Sequence, residues 1–82
     1  MGKILDVTAA MSGVFYRTPS PEDPPYVEVG TEVKKKQILG LLETMKVFQK
    51  VKSPVKGKVI EILAENETPL KDGDVIFRVE KL

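Results

Sequence analysis

The feature that most constrains this chain is an internal repeat that divides it into two similar halves. Residues 27–43 (VEVGTEVKKKQILGLLE) overlay residues 64–80 (AENETPLKDGDVIFRVE) at a shift of 37 positions. Residues 8–16 overlay residues 52–60 at a shift of 44 positions. Because the two shifts differ by seven, the first copy carries seven extra residues, which we place in the proline-rich stretch 17–26. Two such halves predict a fold with a pseudo-twofold axis.

Both halves show the two-residue alternation of β-strands. Apolar residues alternate with polar or outward-facing ones in residues 47–52, 59–64 and 75–79, and no stretch of a dozen residues has helical periodicity. We therefore predict an all-β domain: a flattened eight-stranded barrel or sandwich of two four-stranded antiparallel sheets, each covering the apolar face of the other. The predicted core comprises Phe15, Val29, Val33, Ile38, Leu42, Val51, Val59, Leu63, Leu70, Val75, Phe77 and Val79.

Length and composition limit the possible functions. The 82 residues suit one domain, which we expect to span residues 1–82. The absence of cysteine and histidine excludes disulfides, thiol nucleophiles, the usual zinc sites and a Ser-His-Asp triad. A net charge of +1 gives no footprint for nucleic acid or an anionic membrane, and no apolar run approaches a membrane span. We expect a small cytoplasmic domain.

One lysine stands apart from the others in the chain. Lys46 lies between the apolar residues Met45 and Val47, where two predicted strands meet, and no Gly, Asn or Asp is there to form an easy turn. Under the repeat, this junction occupies one end of the molecule and the two chain termini occupy the other. We interpret Lys46 as a side chain presented to other proteins, in contrast to the solvated lysines of the polar run VKKKQ.

The segment ETMKVFQKVKSPVKGKV resembles the attachment segment of biotinyl carrier domains, whose pattern is Glu-Ala-Met-Lys-Met followed by a strand and a Gly turn. SGVFYRTPSPEDPPYVEVGTEV is similar to the part of bacterial acetyl-CoA carboxylase carriers that holds a protruding thumb. The resemblance covers nearly the whole chain and implies the hammerhead form of the barrel, with a biotinyl hairpin at residues 43–48 and a thumb-like insertion at 17–26. It implies that Lys46 is the biotinyl lysine, flanked by Glu43, Thr44, Met45 and Val47, and that the thumb comprises Arg17, Thr18, Pro19, Ser20, Pro21, Glu22, Asp23, Pro24 and Pro25.

The resemblance also implies a non-catalytic carrier with covalent biotin as its cofactor. Biotin protein ligase would attach biotin to Lys46 through an amide. The carrier would then take CO2, as carboxybiotin, from biotin carboxylase to a carboxyltransferase, in acetyl-CoA carboxylase and hence in fatty acid synthesis. Two positions depart from the family pattern: Thr44 replaces the usual alanine and Val47 replaces the second methionine. These changes bear on ligase recognition, whereas the acceptor lysine is retained.

Three alternatives stay open at the level of the sequence. A lipoyl carrier shares the fold, but its motif typically has an acidic residue before the lysine, where this chain has Met45. The carrier of another acyl-CoA carboxylase or decarboxylase typically lacks the thumb. An unmodified hammerhead domain of a structural or export assembly generally lacks the lysine.

Overall fold

The computed structural model describes residues 2–45 and 47–82, and the regular structure within these ranges consists of β-strands. The short, alternating, β-branched segments form strands where their apolar side chains can be buried on one face. The strands are β1 (Ile4–Thr8), β2 (Gly13–Tyr16), β3 (Glu32–Val33), β4 (Ile38–Glu43), β5 (Phe48–Lys52), β6 (Gly57–Ile62), β7 (Thr68–Leu70) and β8 (Val75–Lys81).

The strands form two four-stranded antiparallel sheets. The terminal sheet has the order β1-β8-β6-β3 and the hairpin sheet has the order β5-β4-β2-β7. If four is added to each strand number of the terminal sheet, and the count returns to β1 after β8, the result is β5-β4-β2-β7, which is the order of the hairpin sheet. The predicted pseudo-twofold relation is therefore confirmed, and each sheet draws strands from both halves of the chain. Pairing among the described residues forms two separate sheets, so the predicted all-β fold of two four-stranded sheets is confirmed in its sandwich form.

The registers of the two sheets also match. Leu5 of β1 faces Val79 of β8, and the equivalent Gln49 of β5 faces Leu42 of β4. Both pairs contain a β-bulge at the equivalent place, which leaves Leu39 and Ile76 without a ladder partner. A bulge reverses the inward and outward alternation beyond it. Ile76, which the alternation placed outward, is therefore buried beside Phe77.

The core is packed by an exchange of large and small residues between the halves. The rings of Phe15 and Phe77 meet edge to face, with centroids 5.7 Å apart. The repeat places Val59 at the position equivalent to Phe15, and Gly40 at the position equivalent to Phe77. A Cβ at Gly40 would lie 2.6 Å from the Phe15 ring, so glycine is needed for this close approach. Each sheet thus contributes one phenylalanine to the core, and Gly40 leaves room for the Phe15 ring of its own sheet.

Seven of the twelve predicted core residues are buried: Phe15, Val33, Leu42, Val51, Val59, Phe77 and Val79. Val29 and Leu63 are exposed, so these two assignments were wrong, and Ile38, Leu70 and Val75 are half-buried. Val29 lies in a tight turn closed by the Thr31 N–H bond to the Glu28 carbonyl. A bulge between Val59 and Glu61 reverses the facing of the later residues of β6 and of Leu63. The alternation missed six buried residues: Val7, Ala9, Val27, Leu39, Ala64 and Ile76.

The turns repeat as well. The described residues with left-handed backbone are Gly30, Lys36, Glu67 and Gly73, with φ values of 97°, 71°, 62° and 92°. A shift of 37 pairs Gly30 with Glu67 and Lys36 with Gly73. Each pair of equivalent turns therefore has a glycine in one half and a residue with a side chain, Glu67 or Lys36, in the other. The left-handed backbone costs more free energy at the residue with the side chain.

A membrane-crossing helix, judged by length and hydropathy, does not occur in the described ranges.

Candidate functional site

The hairpin between β4 and β5 forms one end of the hairpin sheet. β4 ends at Glu43 and β5 begins at Phe48, and these two residues pair across the ladder. Beyond them, the Thr44 N–H donates to the Val47 carbonyl at 2.9 Å. Lys46, the predicted attachment residue, lies outside the described residues. Its described neighbours leave the ladder in a defined geometry.

The residues beside Lys46 present apolar surface to solvent. Met45 is 99% exposed and Val47 is 54% exposed. Neither is packed into the core, which agrees with a segment that is offered to other proteins. The hydroxyl of Thr44 donates a second bond to the Val47 carbonyl at 3.2 Å. An alanine, which the family pattern has at this position, could not make that bond.

The chain termini show the same hydrogen-bonded arrangement as the hairpin. The Lys81 N–H donates to the Lys3 carbonyl at 2.8 Å. The repeat relates these residues to Thr44 and Val47, whose bond closes the hairpin. The described chain ends therefore lie where the second hairpin would be.

The predicted motif residue Glu43 accepts a hydrogen bond from the neighbouring strand β2. The Tyr16 hydroxyl, at the end of β2, donates to Oε1 of Glu43 at 3.0 Å. The Tyr16 ring also lies against Phe48, with centroids 6.0 Å apart and the rings tilted by 58°. The hydrogen bond to Glu43 is the largest cause that raises the pKa of Tyr16 above its usual value, followed by desolvation and the nearby carboxylate charges. A tyrosine hydroxyl, with an ordinary pKa of about 10, is protonated at neutral pH and can donate this bond.

The thumb-like insertion is an irregular loop with its own hydrogen bonds. The Ser20 hydroxyl donates to the Asp23 carboxylate at 2.7 Å, and the Asp23 N–H donates to the Ser20 carbonyl at 3.1 Å. The base is closed by the Tyr26 N–H, which donates to the Arg17 carbonyl at 2.9 Å. These bonds, together with the fixed φ of its prolines, give the thumb a defined shape.

Arg17 fastens the base of the thumb to the sandwich. Its backbone N–H donates to Oδ1 of Asn66 at 2.8 Å. Its guanidinium donates to the Val27 carbonyl at 3.1 Å and forms an ion pair with Glu28 at 3.0 Å. The Arg17 side chain thus ties the start of the thumb to the segment just after its end.

A cleft of about 240 Å³ lies between the thumb and the hairpin sheet. Its thumb side is formed by residues 18–21. Its other walls come from the sheet and from the loop between β6 and β7, through Tyr16, Leu41, Phe48, Asn66 and Glu67. Of the predicted thumb residues, Thr18, Pro19, Ser20 and Pro21 line this cleft, while Arg17, Glu22, Asp23, Pro24 and Pro25 do not.

The sequence did not identify the contributions of Phe48, Asn66 and Glu67. Phe48 lies in the alternating segment 47–52 and in the predicted hairpin 43–48, and the sequence assigns no functional role to Asn66 or Glu67. Nothing local in the sequence brings the β6–β7 loop to the thumb, since the Arg17 bond to Asn66 spans 49 positions. The repeat could have indicated it, because β2 pairs with β7 as β6 pairs with β3.

The described site combines three features next to one another. Within residues 2–45 and 47–82, no three Asp, Glu, His or Cys side chains are grouped so that they could hold a metal ion. The described site offers an exposed hairpin, a neighbouring cleft and one hydrogen-bonded carboxylate. It can hold a tethered ligand and display it to a second protein.

Comparison with known proteins gives one family match that spans most of the chain. Residues 5–79 match a family described as biotin-requiring enzyme. The solved structure of a single-chain, multi-domain long-chain acyl-CoA carboxylase superposes on 96% of this chain with a TM-score of 0.82. The sequence identity is 15%, and the match covers 7% of that chain, so this likeness shows the fold.

Curated relatives are similar at higher identity. The biotin carboxyl carrier protein of acetyl-CoA carboxylase from Streptococcus pyogenes is 40% identical over 74 residues, which are 90% of this chain and 45% of the relative. The protein of the same name from Nostoc is 35% identical over 78 residues, 95% of this chain and 43% of the relative. The chloroplastic carrier protein 1 of Arabidopsis thaliana is 38% identical over 74 residues, 90% of this chain and 26% of the relative. The chain spans less than half the length of these relatives.

Proposed function

This chain belongs to the biotin-requiring enzyme family, and from this premise we propose that it is a biotin carboxyl carrier in which Lys46 is the attachment residue. In this proposal, biotin protein ligase joins the biotin carboxylate to the ε-amine of Lys46 as an amide. The carrier is not itself catalytic. It works with biotin carboxylase and a carboxyltransferase, the partners that the carrier role requires.

The observation that carries the proposal is the geometry around Lys46. Glu43 and Phe48 close the ladder, and the Thr44 bond to Val47 continues it to the residues beside the lysine. Met45 and Val47 are exposed on this rigid base. A side chain positioned by ordered strands loses less freedom on docking than one on a loose tail. The ordered strands beside Lys46 therefore support the proposal that the ligase distinguishes this lysine from the other ten.

The chemistry assigned to Lys46 needs help from the ligase. An exposed lysine has a pKa of about 10.4 and is protonated at neutral pH, so the ligase must remove a proton before the amine can attack an activated acyl group. This chain supplies the position of the amine. Once attached, biotin supplies a ureido nitrogen that carries a carboxyl group between two enzymes, and the hard chemistry belongs to the cofactor and those enzymes.

The residues present fit such a group. The cleft beside the hairpin has carbon-rich walls from Leu41, Phe48 and the thumb prolines, with polar atoms from Thr18 and Ser20 at the thumb. Sites for small ligands combine apolar walls with a few polar groups in this way. We propose that the thumb cleft receives the head of the tethered biotin and shields it from solvent.

We assign the whole enzyme as an acetyl-CoA carboxylase that supplies malonyl-CoA for fatty acid synthesis. The names of the Streptococcus, Nostoc and Arabidopsis relatives support this assignment, as does the thumb. The proposal keeps the cytoplasm as the compartment, while the name of the Arabidopsis relative specifies the chloroplast. A lipoyl carrier is the second candidate, because it shares the fold, but Met45 before the lysine favours biotin.

The test is a labelling competition. The chain is expressed with biotin protein ligase, biotin and ATP, or with a lipoate ligase, lipoate and ATP, and the intact mass is measured. We expect the added mass of one biotin in the first reaction and no added mass in the second. Lipoylation without biotinylation would replace the proposal by the lipoyl carrier. Turnover with acetyl-CoA compared with propionyl-CoA, in the reassembled enzyme, tests the acyl-CoA assignment.

A further inference from the structure

Tyr16 occupies the position where the thumb and the hairpin can influence each other. It is the last residue of β2, and the thumb begins at the next residue, Arg17. Its hydroxyl donates to the carboxylate of Glu43, the last residue of β4. Its ring contacts Phe48, the first residue of β5. One side chain thus touches both strands that carry the hairpin.

The connection from Tyr16 to the thumb is stiff. Arg17 is bonded through its backbone N–H to Asn66 and through its carbonyl to the Tyr26 N–H. Its guanidinium bonds fix the segment after the thumb. A displacement of the hairpin stem at Glu43 or Phe48 would therefore be resisted by the base of the thumb, through Tyr16.

The pseudo-twofold relation shows that the sandwich does not need this contact. A shift of 44 relates Tyr16 to Ile60 and Phe48 to Ile4, and a shift of 37 relates Glu43 to Glu80. Isoleucine cannot donate a hydrogen bond, so the terminal sheet forms the same strand order without one. The tyrosine stands in the copy of the repeat that carries the thumb. Its bond to Glu43 has no counterpart at Ile60, which lies in a bulge that β2 lacks.

We propose that Tyr16 is a positioning residue that holds the stem of the attachment hairpin against the base of the thumb, so that the ligase meets Lys46 in one orientation. The inference rests on the proposed function, since it concerns the modification of Lys46. The hydroxyl acts through Glu43, to which it donates its hydrogen bond. Loss of the hydroxyl leaves the lysine intact but lets its stem vary in position, which weakens productive docking.

The kinetic test uses the unmodified chain as the substrate of the biotin ligase. We expect Tyr16→Phe to raise the KM for the carrier about fivefold, with kcat within about twofold, because the lost contact affects docking more than the chemical step. Tyr26→Phe is the matched control, since it removes a hydroxyl at the other side of the thumb base. In a Glu43→Ala background, Tyr16→Phe should add no further effect. Equal effects of the two tyrosine variants, or additive effects of Tyr16→Phe and Glu43→Ala, would overturn the proposal.

Two measurements are independent of the ligase. Amide hydrogen exchange of Thr44, whose N–H closes the hairpin, should be several-fold faster in Tyr16→Phe and unchanged in Tyr26→Phe. In a Tyr26→Phe background, ultraviolet titration of Tyr16 should show that Glu43→Ala lowers its pKa. Unchanged exchange at Thr44 in a chain that is still biotinylated on Lys46 would refute the role of Tyr16 and leave the proposed function intact. Faster exchange in a chain that cannot be biotinylated would support the positioning and refute the proposed function.

If Tyr16→Phe does not fold, Tyr16→Ile is the second variant, because the equivalent position already holds Ile60. It removes both the hydroxyl and the ring, so we expect it to raise KM at least as much as Tyr16→Phe does. A Tyr16→Ile chain with the wild-type KM would contradict the proposal.

Discussion

The outer faces of the two sheets differ far more than the sheets themselves. On the terminal sheet, Arg78 bridges Asp6 and Glu61 at 3.1 and 2.7 Å, and the face is charged. On the hairpin sheet, the equivalent of Arg78 is Leu41, which lies with Phe48 in the cleft under the thumb. Strand order and the bulges at Leu39 and Ile76 are shared, whereas the bulge at Ile60 occurs in the terminal sheet and not in the equivalent pair β2–β4. The comparison shows that the inner faces of the sheets specify the fold. The outer face of the hairpin sheet and the thumb distinguish the side of the molecule that has the cleft.

The largest effect on stability is expected in the core, where Phe77 of one half packs against Phe15 of the other. Phe77→Ala should lower the free energy of unfolding by about 3–5 kcal/mol, because the ring is fully buried against Phe15 and its loss leaves a cavity. Val59→Ala, at the equivalent of Phe15, should cost less because fewer atoms are removed. Urea unfolding measures both values. An unchanged midpoint for Phe77→Ala would mean that the inward face of β8 is misassigned.

The thumb is the part that only one half possesses, and its removal should separate stability from function. Replacing residues 18–25 by a short turn should change the free energy of unfolding by less than about 1 kcal/mol, because the closure entropy of a loop varies slowly with its length. Ligase labelling should persist, since Lys46 and its hairpin remain. Carboxyl transfer in the assembled enzyme should fall, because the cleft is lost. A deletion variant that unfolds would make the thumb part of the core, and one that transfers at the full rate would reduce it to a spacer.

In the paired turns, the glycine of one half can replace the residue with a side chain at the equivalent position of the other half. Lys36→Gly should raise the free energy of unfolding by up to about 1 kcal/mol, since Lys36 has a φ of 71° and its equivalent is Gly73. Lys35→Gly, one residue earlier and without a left-handed backbone, is the matched control and should be destabilising. Thermal unfolding of the two variants would show the contrast. A loss of stability in Lys36→Gly would contradict the assigned strain.

The smallest effect is expected on the charged outer face. Arg78→Leu gives the terminal sheet the residue of the hairpin sheet and removes two exposed ion pairs. Such pairs contribute little and are screened by salt. The melting temperature should fall slightly at low salt and approach the wild-type value at high salt, with ligase labelling unchanged. Impaired labelling would show that the ligase also reads the terminal sheet.

Much of the fold could be predicted from the repeat, because two halves with the same strand pattern must each bury an apolar face. The seven-residue excess predicts an insertion within residues 17–26, and in the structure these residues form a loop closed by the bond from the Tyr26 N–H to the Arg17 carbonyl. The alternation failed at Ile76 and at Leu63, where bulges reverse the facing of the strand. A bulge depends on the partner strand, so the strand's own sequence does not reveal it.

The site was predicted less completely than the fold. Glu43, Met45 and Val47 were chosen from the motif, and the structure places them at a hairpin as expected. The cleft could not be predicted, because Tyr16 and Glu43 are 27 positions apart and Asn66 reaches the thumb from the other half. Such contacts arise from the folded arrangement of the sheets and leave no local pattern.

The central claim is that one lysine, Lys46, accepts biotin. The most direct measurement is peptide mapping after labelling with biotin ligase, biotin and ATP, on the wild-type chain, on Lys46→Arg and on the control Lys50→Arg, which changes a lysine of the adjoining strand β5. The account predicts one biotin on the peptide that contains Lys46 in the wild type and in Lys50→Arg, and none in Lys46→Arg, with all three chains equally folded. Biotin retained by Lys46→Arg, or found on another lysine of the wild type, would contradict it.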